Sequence, residues 1–308
     1  MSQPLDAMEP VDLTYQAADG TDLPLRVWMP GPRGTGCPRS GGAGMPTGPA
    51  RPRAAVVYLH GIQSHSGWYE GSSRRLASAG VAVYQVERRG SGGDSAHERG
   101  HVDRAETWLD DVAAAGELAR RQTGLAAVHL MGVSWGGKLA LACAARRPDL
   151  CRSLILSAPG IFPQVDVALA TKVRVAKALA AGDDLRRFRI PLDDPNIFTA
   201  NPERIRYIAQ DPLSLRDVTA RFLFESRRLD AMIRDAASGV KVPTLLALAE
   251  HDSIIDNEPT RRLVLSMAVR RRIIVYPAAH HTLEFETAPA AYFNDLLAWI
   301  EEIEASSG

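Results

Sequence analysis

The chain has no excess of charge of either sign. Its 308 residues include 36 basic and 36 acidic side chains. That balance gives no sign of the basic excess that a nucleic-acid partner requires. Cysteine is scarce, with three in all: Cys37, Cys143 and Cys151. An odd count at no metal-ligand spacing excludes a disulfide framework and a zinc site. No apolar run approaches the roughly 20 residues of a membrane helix. The first ten residues have neither the positive region nor the apolar core of a signal peptide. The expectation is a soluble, cytoplasmic protein with no cofactor, no metal and no nucleic-acid partner.

What is present is an alternation of buried strands and helices. Val11 to Tyr15 and Leu25 to Met29 read as a hairpin around the Asp19-Gly20 turn. Residues 31–53 are rich in Gly, Pro and Arg and read as a mobile surface loop, with Cys37 an incidental exposed thiol. Continuous apolar runs then mark strands buried on both faces: Ala54 to Leu59, Val81 to Val86, Ala127 to Met131, and Leu154 to Leu156. Helices fit between them, at Gly67 to Ala79, at Arg104 to Gln122 and from Lys138. Such alternation implies a parallel sheet with right-handed crossovers. It breaks from Ile161 to about Glu225, where helices and loops are expected and no strand. It resumes with a strand at Thr244 to Ala249, a helix near Glu258 to Met267, a strand at Ile273 to Tyr276, and a last helix from about Thr287. The expected organisation is a sheet domain of residues 1–160 and 226–308, with residues 161–225 a helical cap inserted into it.

The chemistry centres on Gly132-Val133-Ser134-Trp135-Gly136, which joins a strand to a helix. Glycines two before and two after a serine let both backbones approach a sharp turn that lifts the hydroxyl clear of the sheet. The helix that follows points free N–H groups at the place where an oxyanion would form. A serine nucleophile needs a base and a group that orients it. Asp252 follows one later strand, and His280 and His281 follow another, both where open α/β sheets place their sites. Asp256 is the rival acid, further along its loop. His129 lies within a strand and reads as a hydrogen-bonded core histidine.

These stretches, with His60-Gly61-Ile62-Gln63-Ser64-His65-Ser66-Gly67-Trp68-Tyr69, Glu87 to Gly92, Asp211-Pro212-Leu213 and Tyr276 to Glu286, give the chain a resemblance. It resembles the α/β-hydrolases of the monoacylglycerol lipase and lysophospholipase type, related to serine aminopeptidases S33, over about residues 11 to 303. The resemblance implies an α/β-hydrolase fold, a mostly parallel central sheet flanked by helices with a helical cap. It implies Ser134, Asp252 and His281 as catalytic residues, His281 rather than His280, and Ile62 and Trp135 as donors to the oxyanion. His60 resembles a structural histidine. Two residues depart from the family pattern: Glu87 stands where aspartate is usual and Trp68 where arginine is usual. Glu87 is expected to hold the basic loop that follows it, and Glu286 to be helix-terminal charge. Trp68 either lines the pocket or packs.

Trp68, Phe162 and Phe198 are the expected substrate-binding walls. The activity implied is hydrolysis of monoacylglycerols or similar short-to-medium acyl esters. Amide, peptide, thioester or C–C bond hydrolysis, and a non-catalytic receptor, are the alternatives. In the cap, Val165, Leu169, Val173, Ala176 and Leu179 form an apolar stripe beside Lys172, Arg174 and Lys177. Such a helix either covers the pocket or lies on an anionic membrane surface; the former reading is preferred.

Overall fold

The computed structural model describes residues 9–31 and 51–306. Most of the expected 31–53 loop, Cys37 included, lies outside them. Strands β1 (Val11–Gln16) and β2 (Asp22–Trp28) form the expected antiparallel hairpin. Asp19 closes its turn by accepting from the Thr21 N–H and hydroxyl, and Gly20 takes the left-handed backbone, φ 84°.

Every residue of β3 (Ala54–Leu59), β4 (Val81–Val86), β5 (Val128–Val133) and β9 (Thr244–Ala249) is buried. With β6 (Cys151–Ser157) and the edge strand β10 (Arg271–Tyr276) they complete an eight-stranded sheet, ordered β1-β2-β4-β3-β5-β6-β9-β10. All pairings from β4 to β10 are parallel. This is the flanked parallel sheet that the alternation predicted. Helices cover both faces. Tyr58 of β3 reaches Ser72 of α1 (Glu70–Ser78), and α1 packs on the last helix, α8 (Ala290–Ala305). The next residue, Leu59, points the other way, toward Trp108 of α2 (Ala105–Thr123) and Leu139 of α3 (Trp135–Arg146).

Strand order reverses between β3 and β5, since β3 leads to β4 on one side while β5 pairs on the other. A crevice opens at the carboxyl ends of strands at such a reversal. His60-Gly61-Ile62 leave β3 there and Ser134 leaves β5 there.

The chain between β6 and β9 is richer than expected. It holds helices α4 (Leu169–Ala180), α5 (Pro202–Gln210) and α6 (Ala220–Ala236), and also an antiparallel pair, β7 (Arg187–Arg189) with β8 (Asp217–Thr219). Three-residue strands carry too little pattern to be read from sequence. Helix α6 also runs through Glu225 without a break, because Thr219 caps its N-terminus and Phe222, Leu229 and Ile233 anchor it in the core. Of the stripe expected around α4, Val165, Ala176 and Leu179 line a cavity, while Leu169 and Val173 are exposed and the buried positions of the helix are Val175 and Ala178. Among the described residues no helix is long and apolar enough to cross a membrane.

Candidate active site

Ser134 occupies the turn between β5 and α3 with φ 52° and ψ −125°, a conformation that L-residues adopt only under constraint. Close approach supplies the constraint. A Cβ at Gly132 would sit 2.4 Å from the Gly136 carbonyl oxygen, and one at Gly136 would sit 2.4 Å from that of Leu59. Neither glycine has a positive φ, so both are needed for space rather than for backbone freedom. The Ser134 N–H donates to Ser157 and its carbonyl accepts from Gly160 at 2.7 Å, which ties the turn to the end of β6.

Three sequence-expected residues meet there. The Ser134 hydroxyl lies 2.9 Å from His281 Nε2, and His281 Nδ1 lies 2.8 and 3.0 Å from the two Asp252 oxygens. His281 is 1% exposed. Asp252 Oδ1 also accepts the N–H groups of Ile254 and Ile255 at 2.8 and 3.0 Å. Burial pushes the Asp252 carboxyl up. The His281 charge, its hydrogen bond and the two N–H groups outweigh burial and hold the carboxyl below its ordinary value. Asp252 is thus an anion that fixes one tautomer of His281, leaving Nε2 free to take a proton from the serine. Asp256, the rival, caps α7 (Asn257–Ser266) through the Glu258 N–H.

The two expected oxyanion donors flank the serine. Trp135 is the first residue of α3, so its N–H has no carbonyl a turn earlier to bond. Ile62 is aimed by a feature that sequence reading missed. Its N–H shares a peptide unit with the Gly61 carbonyl, and a trans peptide points the two in opposite directions. That carbonyl accepts from His60 Nδ1 at 2.8 Å and from Arg88 at 2.9 Å, and Arg88 also reaches the Ile62 carbonyl at 2.8 Å. His60 Nε2 accepts the Arg88 N–H, and burial keeps this histidine neutral, well below its ordinary pKa. Burial lowers Arg88 to about 9, and its guanidinium lies 4.8 Å from the Trp135 ring. Arg88 therefore holds the Gly61-Ile62 loop against the start of α3.

Glu87 does more than expected, and Glu286 acts differently from expectation. Glu87 accepts the Ser66 N–H at 2.8 Å, so it holds the loop before it, while its other oxygen packs against Gly92 of the stretch after it. Glu286 precedes α8 and accepts the His280 N–H at 2.9 Å, which shapes the histidine loop. His129 is a satisfied core histidine between Ser153 and Glu304.

A cavity of about 320 Å³ opens from Ser134, Ile62 and Trp135 toward α4 and α6. Its walls are mostly apolar and include Val175, Leu179, Ile190, Leu223, Phe224 and Ile255. Trp68, Phe162 and Phe198 do not line it. Trp68 is buried against Phe198 and Phe285, with its indole N–H donated to Asp211 at 2.7 Å. A buried indole N–H needs such a partner, and Asp211 pulls the ring away from the cavity. Phe198 lies with its ring centre 6.1 Å from that of His281 and accepts the Thr282 N–H through its carbonyl, so it buttresses the histidine loop. Phe162 packs partly buried on the core and accepts the Asp256 N–H through its carbonyl. Sequence reading also missed Lys138 and Asp230, a buried ion pair at 2.5 Å in the cavity wall. The signal was a lysine four residues after the serine on an otherwise apolar helix.

Glu284, three residues past His281, is buried and accepts the Ser72 N–H at the start of α1 at 2.8 Å. Burial pushes its carboxyl up to about 7. A carboxyl raised on folding stabilises the protein fully below its unfolded value, near 4.5, and that contribution disappears as pH rises through 7. Wild type is expected to lose up to about 3 kcal/mol from this group between pH 5 and pH 8. Glu284→Gln should not show that loss. Urea midpoints of both proteins at the two pH values check this; identical pH dependence would refute it.

A family model described as "Serine aminopeptidase, S33" matches residues 50–288. Monoglyceride lipase of Homo sapiens is 26% identical over 94% of this chain and 90% of its own length. Monoacylglycerol lipase of Mycolicibacterium smegmatis is 26% identical over 81% of this chain and 88% of its own. Among solved structures, a soluble variant of monoglyceride lipase from Saccharomyces cerevisiae, in complex with a substrate analog, superposes with a TM-score of 0.80. It is 18% identical and covers 98% of this chain and 97% of that one. Monoacylglycerol lipase of Paleococcus ferrophilus gives 0.74 at 21% identity, over 97% and 100% of the two chains. At these identities the structures speak for the fold.

Proposed function

We propose that this chain, which belongs to the serine aminopeptidase S33 family and has the α/β-hydrolase fold, cleaves monoacylglycerols or similar short-to-medium acyl esters through an acyl-enzyme. The observation that carries this is the unbroken chain from Ser134 through His281 to Asp252, opening into an apolar cavity. Ser134 attacks the ester carbonyl and His281 takes its proton. Asp252 stabilises the imidazolium. The N–H groups of Ile62 and Trp135 hold the oxyanion, each donor being worth about 3–4 kcal/mol in the best-studied case. His281 then protonates the departing alcohol, and water repeats the cycle on the acyl-enzyme. The human and mycobacterial relatives named above support an ester as the substrate.

The segment between β6 and β9 serves as the cap. Ala176 and Leu179 of α4 face the cavity, which supports the pocket-cover reading over one in which this helix lies on a membrane surface. A cytoplasmic location is the reading that the buried, unpaired thiols of Cys143 and Cys151 support.

The cavity is at the small end of ligand pockets. Specificity should rise by roughly fourfold per added methylene until the cavity is full, since each buried methylene contributes about 0.8 kcal/mol. Measuring kcat/KM across p-nitrophenyl esters and monoacylglycerols of increasing length is expected to give a maximum at short-to-medium chains. Emulsified triolein should be a poor substrate with no jump in rate at the interface. Efficient triolein hydrolysis with interfacial activation would overturn the pocket-cover reading. Aminoacyl amides and thioesters, assayed alongside, decide among the alternative hydrolase chemistries, and failure of every substrate would favour a receptor.

A further inference from the structure

The apolar cavity carries one polar seam. Lys138, on α3 one turn past Ser134, is 5% exposed and lines the cavity. An ammonium has three protons to donate. Among the described residues Lys138 has one partner, Asp230 of α6 at 2.5 Å. Asp230 also meets Arg227, and Arg227 and Lys172 both meet Asp166. All five line the same cavity. Three are cations and two are anions, so the seam has one positive charge in excess. A buried cation with unspent donors facing an apolar cavity calls for an anionic oxygen.

The half of the ester that enters this cavity can be deduced. The leaving alcohol must take its proton from His281, so it lies on the His281 side of the serine. His281 does not line the cavity, whereas Ser134, Ile62 and Trp135 do. The cavity therefore receives the acyl half.

We infer that the enzyme selects acyl groups ending in a carboxylate, the half-esters of short dicarboxylic acids, and that Lys138 binds this carboxylate with the Arg227 and Lys172 charges beside it. The inference rests on the ester-hydrolase reading above. Lys138 is a specificity residue here. The competing explanation is that the Lys138–Asp230 pair only fastens α6 to α3.

The test compares monoethyl esters of succinic, glutaric and adipic acid with ethyl esters of unbranched acids of the same length, with turnover followed by proton release. At least one half-ester is expected to exceed its methyl-ended match in kcat/KM by roughly tenfold or more, as a charged hydrogen bond allows. Lys138→Met should bring that ratio to about one. Lys138→Met/Asp230→Leu removes both charges and leaves no unpaired buried carboxylate; Arg227 and Lys172 against Asp166 keep the one positive charge, so the ratio should fall below wild type through loss of the Lys138 donors. Its fold is checked by circular dichroism. A wild-type ratio of one or less for all three acids overturns the inference. So does a double variant that slows both ester classes equally, which is the behaviour of a mere fastening. An ω-hydroxyacyl ester favoured as strongly as the half-ester would overturn the charge argument. If unsubstituted ethyl esters are turned over and half-esters are not preferred, the hydrolase reading stands and this inference falls. If no ester is turned over, both fall.

Discussion

Replacing Ser134 by alanine is expected to lower ester turnover by about 10⁵–10⁶-fold with the fold intact. The backbone gives the reason for the second half of that statement. Ser134 sits at φ 52° because Gly132 and Gly136 allow β5, α3 and the end of β3 to crowd together. Alanine keeps the same Cβ and the same strain, so the turn has no cause to relax. Only the hydroxyl and its 2.9 Å hydrogen bond to His281 are lost. The imidazole remains fastened to Asp252. The Ile62 and Trp135 N–H groups remain as well, and a residual acceleration of about 10³–10⁴ over water is the level that such groups sustain in other triads. Turnover of a p-nitrophenyl acyl ester, with thermal unfolding as the control, measures both halves. A fluorophosphonate should label wild type and leave the variant unlabelled. A folded variant that retains near-wild-type turnover would remove Ser134 from the mechanism.

How much of this was legible in the sequence depends on the range of the interaction. The serine turn is written in five consecutive residues, and the apolar runs before Asp252 and His281 place both at strand ends. Local pattern therefore reached the sheet, the hairpin and Ser134, and placed Asp252 and the His280-His281 pair at strand ends; the choice of His281 came from the family resemblance. It failed where the deciding partner is distant in sequence. Trp68 turns away from the cavity because Asp211, 143 residues on, accepts its indole N–H. Lys138 faces the cavity because α6 brings Asp230 to it from 92 residues away. The phase of α4 is set by Phe188 and Ala220, which form a small cluster with Val175 and Ala178. Its own spacing did not reveal that. The cap was the least legible region because its short elements pack mainly on one another and on α3, with no long strand to fix their faces.

The second large effect separates two neighbouring histidines. His281→Ala is expected to abolish turnover to a degree comparable with loss of the serine, whereas His280→Ala should remain within about tenfold of wild type. Both nitrogens of His281 are committed, one to Ser134 and one to Asp252. Its removal deletes the base and also strands a buried carboxylate. Asp252 would keep only the Ile254 and Ile255 N–H groups, so this variant should also melt earlier, since unpairing a buried charge costs about 3–5 kcal/mol. The His280 ring does less. It stands edge-on to His251, with Nδ1 3.4 Å from Glu286. The bond that shapes the loop comes from the His280 backbone N–H to Glu286, and alanine retains that N–H. Glu286→Ala should therefore impair turnover more than His280→Ala does, because it removes the acceptor. Steady-state rates for the three variants, each shown folded by circular dichroism, give the order. If His280→Ala were inactive and His281→Ala active, the base would move back one residue and the Asp252–His281 pair would be a buried structural contact.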